Sequence, residues 1–197
     1  MKVRFILLLL AIACIATTSC KKDPMNNTTN LKAGYYPNSI GTFWEYRRYD
    51  SISHSADTVI VRIKSNIVMS GKLYSVWTYE KSDVVFDTSF VYSSKDSVII
   101  SGSNNFFSSK LLLLPYKINS KWSSSEISRD TSTVEGTAMI DSFNTYKLSR
   151  HVFGIDLSLN DAEWLTPYVG IIRENISEFS IIKSKNESWR LIAFSIK

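Results

Sequence analysis

The sequence predicts an all-β fold: antiparallel strands, mostly a meander, that form a curved sheet or a partly open β-barrel. A two-sheet β-sandwich is the alternative. Three observations predict this class. The 197 residues include 31 serines and only 8 alanines, so good helix formers are scarce. Apolar and polar residues alternate with period two over short segments, and clusters of turn-forming residues separate those segments.

The first element is a secretory signal peptide over residues 1–19. Lys2 and Arg4 precede an apolar run from Phe5 to Ala16, and small residues follow it. This run is shorter than the roughly 20 apolar residues that a spanning helix needs. Export, rather than a membrane-spanning anchor, is therefore expected.

The end of this signal resembles the lipobox of bacterial lipoproteins. Thr17-Thr18-Ser19 precedes Cys20, with Thr17 where leucine is usual. The resemblance implies cleavage before Cys20, lipid (palmitate-type acyl chains) on its sulfur, and anchoring in the outer membrane. Lys21, in place of an aspartate directly after the cysteine, favours the outer membrane over the inner one. The side of that membrane on which the protein lies stays open.

Residues 20–34 are expected to be the lipidated cysteine and a flexible tether, because they are polar and lack periodicity.

Residues 35–197 are expected to form a single β domain. Its first strand should follow a tight turn at Gly41 and begin with the large side chains Phe43, Trp44 and Tyr46. About ten strands fit the spacing, and a short helical turn is expected from Asn160 to Trp164. Period-two segments occur at 73–79, 84–92, 134–140 and 146–152, and turn residues at 70–72, 95–96, 102–105, 141–144 and 185–187.

Two segments resemble small β-rich outer-membrane lipoproteins of gram-negative bacteria. Residues 35–46, YYPNSIGTFWEY, are similar to the opening segment of those proteins, and residues 164–174, which include Tyr168-Val169-Gly170-Ile171, to a late one. The resemblance implies a fold and a cellular address, and no activity.

Charge and motifs exclude several classes of function. The net charge is +5 and the basic residues are scattered, whereas nucleic-acid binding needs a clustered basic surface. No G-x-S-x-G motif or phosphate-binding loop occurs, and His54 and His151 are expected on the surface. Ser180 and Lys183 have the Ser-x-x-Lys spacing, but the strand-like alternation around them places the two side chains on opposite faces. No catalytic residue and no cofactor are therefore assigned.

Two sets of residues remain as candidate sites. Asp156, Asp161 and Glu163 are close in sequence and form a weak calcium set, although an incidental acidic turn explains them more simply. Trp122 and Trp164 lie beside expected turns and are candidates for stacking on a glycan or meeting a partner.

The favoured function is a non-enzymatic, lipid-anchored module that binds an envelope protein or a glycan. The alternative is a carrier of a lipid or another apolar ligand in a barrel cavity, which requires a concave space of several hundred Å³. A hydrolase with a carboxylate site is the third hypothesis.

Overall fold

The computed structural model describes residues 35–102, 109–123, 129–154, 157–180 and 184–197. Within these ranges every regular element is a β-strand and no residue is helical. The strands are β1 (Phe43–Asp50), β2 (Ser55–Met69), β3 (Lys72–Lys81), β4 (Val84–Ser93), β5 (Ser97–Gly102), β6 (Lys110–Leu113), β7 (Lys121–Trp122), β8 (Arg129–Ile140), β9 (Phe143–Phe153), β10 (Leu157–Thr166), β11 (Gly170–Ser180) and β12 (Ser184–Ser195).

All twelve strands belong to one sheet, in the order β6-β5-β4-β3-β2-β1-β12-β11-β10-β9-β8-β7. Each half of the chain forms a six-stranded meander, and the antiparallel pair β1–β12 joins the two halves. The predicted all-β, antiparallel, mostly meander class is confirmed. The sheet is single and curved, so the two-sheet sandwich does not form.

The sheet curls until its edge strands β6 and β7 approach each other without pairing. The indole N–H of Trp122 donates to the carbonyl oxygen of Leu111 over 2.7 Å. The guanidinium of Arg150 on β9 donates to the carbonyl oxygen of Ser109, just before β6, over 3.1 Å. The result is an open barrel with a concave inner face.

We call the end where β1 begins the closed end, and the end where β1 finishes the open end. Inward-facing apolar side chains fill the closed end, as the period-two alternation of the strands requires. The fully buried members include Ile63, Val91, Val98, Leu112, Val134, Leu148, Leu165 and Ile172.

The segment before β1 packs into the closed end. Tyr36 stacks on Trp77 with ring centroids 5.9 Å apart, and the Trp77 indole N–H donates to the Asn38 side-chain oxygen over 3.1 Å. Gly41 has a φ of +87° and its N–H donates to the carbonyl oxygen of Ile63. The expected turn at Gly41, followed by a strand rich in aromatic residues, is confirmed.

The two lipoprotein-like segments, 35–46 and 164–174, contact each other. Trp44 donates from its indole nitrogen to the carbonyl oxygen of Val169 over 2.6 Å, and the Tyr46 hydroxyl donates to that of Ile171 over 3.0 Å. Gly170 has a φ of +101°, and a Cβ there would lie 3.5 Å from the Trp44 indole nitrogen. These two sequence motifs therefore contact each other across strand β12, at the centre of the sheet.

Two local predictions are wrong. The turn expected at 185–187 instead lies within strand β12, paired with β11. The expected helical turn from Asn160 to Trp164 is instead the middle of strand β10, paired on both sides by β9 and β11.

The expected signal peptide, Cys20 and the tether lie outside the described residues. No helix in the described ranges has the length and apolar character that crossing a membrane requires.

Candidate functional site

A cavity of about 510 Å³ occupies the concave face between the packed closed end and the open end. Aromatic and aliphatic side chains mix with charged ones in its wall. The lining residues are Tyr36, Tyr46, Arg48, Val61, Trp77, Tyr79, Phe86, Asp87, Ser89, Ile100, Gly102, Lys110, Arg150, Leu157, Leu159, Asp161, Glu163, Ile171, Glu174, Ile176, Glu178, Ser180, Lys185 and Trp189.

The most unusual part of this wall is a buried group of one lysine and three acids. We call Lys110, Asp161, Glu163 and Glu174 the carboxylate cluster. The Lys110 ammonium lies 2.9 Å from an oxygen of Asp161, contacts Glu163 directly, and lies 3.8 Å from Glu174. Only 1% of the Glu163 side chain is exposed, so Glu163 depends on these partners for compensation of its charge.

Strand geometry explains how these side chains meet. Asp161 and Glu163 are two residues apart on β10 and therefore face the same side of the sheet. The ladder between β10 and β11 places Glu174 directly opposite Glu163. Lys110 comes from the edge strand β6 in the other half of the sheet and reaches the acids because the sheet curls.

Burial controls the ionisation of this cluster. Desolvation raises the pKa of Glu163 and, more strongly, that of Glu174, and the neighbouring acids add to both shifts. Burial lowers the pKa of Lys110, but the attraction of Asp161 and Glu163 outweighs that effect and leaves it above its ordinary value. Lys110 is therefore charged, and Glu174 is the acid whose pKa is raised most.

Three buried oxygens of the cluster, Asp161 Oδ1 and both carboxylate oxygens of Glu163, make no hydrogen bond to any described residue. Asp161 is buried and its Oδ2 faces Lys110, but its Oδ1 makes no hydrogen bond to any described residue. Three carboxyl groups therefore share one ammonium, so the acids outnumber the cation in this part of the cavity wall.

A second buried ion pair lies next to the cluster. Arg150, the β9 neighbour of Asp161 in the ladder, lies 3.3 Å from a carboxylate oxygen of Asp130. Because its two formal charges cancel, this pair does not compensate the cluster.

Toward the open end the charged side chains are paired and packed on aromatic rings. Arg48 binds both carboxylate oxygens of Asp57, and its guanidinium lies over the rings of Phe86 and Trp189 at 5.4 and 5.6 Å. Lys185 pairs with Glu187 over 3.2 Å. The cations of this region therefore already have partners.

The structure brings two of the three calcium candidates together. Asp161 and Glu163 meet Glu174 with carboxylate oxygens that lie within 4.8 Å of one another, whereas Asp156 lies outside the described residues. The Lys110 ammonium already occupies the space among these oxygens. A calcium ion would have to displace it, so the residues present fit an ion-paired cluster better than a calcium site.

The stacking candidates lie away from the cavity. Trp164 is half-buried on the outer face of β10, between Lys147 and Arg173, whose charged groups lie 5.8 and 5.0 Å from its ring. Trp122 is half-buried at the seam between the edge strands. The tryptophans that line the cavity are Trp77 and Trp189.

Sequence reasoning missed Lys110 and Glu174. Glu174 could have been found by treating 157–166 and 170–180 as a hairpin, because that register sets it against Glu163. Lys110 gave no local signal, since its contact with Asp161 joins strands from opposite halves of the chain.

Comparisons with known proteins give weak structural likeness and no family. No family model matches the sequence, and no curated protein matches it. A presumed lipoprotein from Parabacteroides distasonis is similar in structure, with a TM-score of 0.49, 12% identity, and coverage of 82% of this chain and 98% of that one. A presumed exported protein with a YmcC-like fold from Bacteroides fragilis has a TM-score of 0.48 and 11% identity, over 83% and 100% of the two chains. A presumed outer-membrane lipoprotein-sorting domain from Vibrio parahaemolyticus has a TM-score of 0.26 and 8% identity, over 79% and 85%.

Proposed function

We propose that this protein is a non-enzymatic binding protein of the bacterial outer membrane, anchored by lipid on Cys20, whose cavity carries an apolar, lipid-like ligand. The observation that carries the proposal is the cavity of about 510 Å³ on the concave face. Its volume falls within the roughly 300–1,000 Å³ of ligand pockets. An interaction module that uses only a surface patch needs no such space, so the cavity favours the carrier alternative.

The shape of the wall supports an apolar ligand. Leu157, Leu159 and Ile176 line the cavity toward the open end, and Phe86 lies at its rim. At the other end the stacked Tyr36 and Trp77 close it. An apolar chain could enter from the open end and exchange water for these side chains, a transfer worth roughly 25 cal/mol per Å² of apolar surface buried.

The predicted anchor would keep such a carrier close to its source of ligand. About 14 flexible tether residues span roughly 20 Å. A lipid attached to Cys20 would then hold the domain beside the membrane, within reach of apolar molecules that are scarce in water.

A hydrolase is less well supported by the geometry of the acids. Glycoside hydrolysis needs two carboxyls that flank an open gap for the sugar. Here the Lys110 ammonium contacts Glu163 and lies 2.9 Å from Asp161, so it fills the space between them.

The test is to fill the cavity and measure the ligand that is carried. Leu159→Trp adds bulk to the wall, and Leu73→Trp makes the same change at a position 60% exposed at a hairpin. Each full-length protein is purified from its native membrane, and non-covalently bound lipid is extracted and quantified by mass spectrometry. We expect a several-fold loss of bound apolar molecules in Leu159→Trp and wild-type amounts in Leu73→Trp.

Equal amounts in the wild type and both variants would contradict carriage in the cavity. Circular dichroism of the variants checks that the sheet is intact. If Leu159→Trp does not fold, Ile100→Trp, on the opposite wall of the cavity, replaces it.

A further inference from the structure

In the carboxylate cluster, buried acids outnumber the cations beside them. Three carboxyl groups surround the single ammonium of Lys110. A buried carboxylate without compensation is costly, so the cluster is complementary to additional positive charge.

Oxygens of Asp161 and Glu163 that make no hydrogen bond give that positive charge a position. Asp161 Oδ1 is buried without a hydrogen bond to any described residue, and its side chain lines the cavity. An N–H donor placed there would make a charge-assisted hydrogen bond, which is about twice as strong as a neutral one. An ammonium group with N–H bonds fits this position better than a quaternary ammonium, which has none.

The apolar residues beside the cluster indicate the rest of the ligand. Leu157 and Leu159 precede Asp161 on the same face of β10, and Ile176 lies opposite Asp161 in the ladder. Along β10 the wall therefore changes from charged to aliphatic toward the open end.

We infer that the cavity selects an amphiphile with one protonated amine, whose ammonium group binds at Asp161 and Glu163 and whose apolar body lies along Leu157, Leu159 and Ile176. This inference rests on the proposed carrier function and adds the chemical class of the ligand. A monocation is favoured over a divalent metal ion because Lys110 already occupies the space among the carboxylates.

The experiment compares three probes with the same eight-carbon chain and different head groups: octylamine, octanol and octanoate. At pH 7 the amine is protonated and the acid is ionised. The full chain is held in phosphatidylcholine vesicles, and binding is followed by tryptophan fluorescence, since Trp77 and Trp189 line the cavity. We expect octylamine to bind at least tenfold more tightly than either of the other probes.

Two variants locate the effect. Asp161→Asn should lower the affinity for octylamine about tenfold and leave that for octanol unchanged. Asp96→Asn, the same change at an exposed aspartate between β4 and β5 that does not line the cavity, should leave both affinities unchanged. If Asp161→Asn does not fold, Glu163→Gln tests the same charge from the neighbouring position.

The outcomes separate the two proposals. If all three probes bind equally, the cavity binds apolar molecules but the cationic class is wrong. If none binds, the carrier function itself fails. Millimolar Ca²⁺ is added as a competitor, and complete displacement of octylamine by Ca²⁺ in the wild type but not in Asp161→Asn would assign the cluster to a divalent ion and overturn the inference.

Discussion

Glu174 is the residue at which burial and charge oppose each other most clearly. It lies directly opposite Glu163 in the β10–β11 ladder, and like charges in such a pair are destabilising. Desolvation comes first among the causes that hold the pKa of Glu174 well above the ordinary 4.5, followed by the charges of Asp161 and Glu163. The folded protein therefore binds this proton more tightly than the unfolded chain does.

This proton makes stability depend on pH in a defined direction. Below about pH 4.5 both states hold the proton. Above it the unfolded chain ionises first, so the free energy of unfolding falls by up to about 1.4 kcal/mol per pH unit until the folded state also ionises. Glu174→Gln cannot ionise, and urea unfolding between pH 4.5 and 8 should show a shallower decline than in the wild type.

Asp57 should make stability depend on pH in the opposite direction. The hydrogen bond from Arg48 lowers the pKa of this carboxyl, so its contribution to stability is present above its unfolded pKa and is lost as the pH falls. Asp57→Asn should therefore flatten the acid side of the same profile. An unchanged slope above pH 4.5 in Glu174→Gln would show that Glu174 does not hold the proton.

Among the strands, β10 explains why the candidate site was only half predicted. Its inward face carries Leu157, Leu159, Asp161 and Glu163, so apolar and acidic residues share one side. Alternation of hydrophobicity cannot reveal a strand whose buried face is partly charged, and the acids were therefore interpreted as a turn. Asp161 and Glu163 still fit the period-two alternation of a strand, because both face inward together with Leu157 and Leu159.

The remaining strands show where local sequence is sufficient and where it is not. The hairpin of β8–β9 followed from alternation and turn residues, and strands β3 and β4 followed from alternation, because both signals are local. The pairing of β1 with β12 and the contact of Lys110 with Asp161 join distant parts of the chain. No local pattern encodes such a register, since it depends on how the complete sheet curls.

Lys110 joins strand β6 to the opposite half of the sheet, together with the hydrogen bonds from Trp122 and Arg150. Lys110→Met would leave the buried Asp161 and Glu163 without their cation, and breaking a buried ion pair costs about 3–5 kcal/mol. Urea unfolding should report a loss of this size. Lys64→Met removes a half-exposed partner of Glu80 and should cost under about 1 kcal/mol. Equal losses of unfolding free energy in the two variants would show that the buried cluster stabilises the fold no more than a surface ion pair does.

At the scale of the whole molecule, anchoring is the prediction that reaches beyond the described residues. If Cys20 carries the lipid, Cys20→Ala should leave the protein unprocessed or release it from the membrane in its native host. Cell fractionation and intact-protein mass spectrometry would measure both effects. Cys14→Ala is the matched control, because Cys14 lies in the expected signal peptide and should not affect anchoring.

Membrane-bound Cys20→Ala protein at the wild-type mature mass would contradict lipidation. The cavity test and this test are independent, because the first concerns the concave face of the sheet and the second the segment before residue 35. A protein that fails one of them can still pass the other.

The pairing of β1 with β12 has a consequence for the order in which the molecule is made. Strand β1 is the first strand to leave the ribosome, yet its partner in the centre of the sheet is synthesised after all the other strands. Until β12 arrives, the first meander presents the unpaired backbone of β1 as an edge open to other chains. Chains are therefore vulnerable to association until β12 pairs with β1, and a chaperone that covered β1 would protect them.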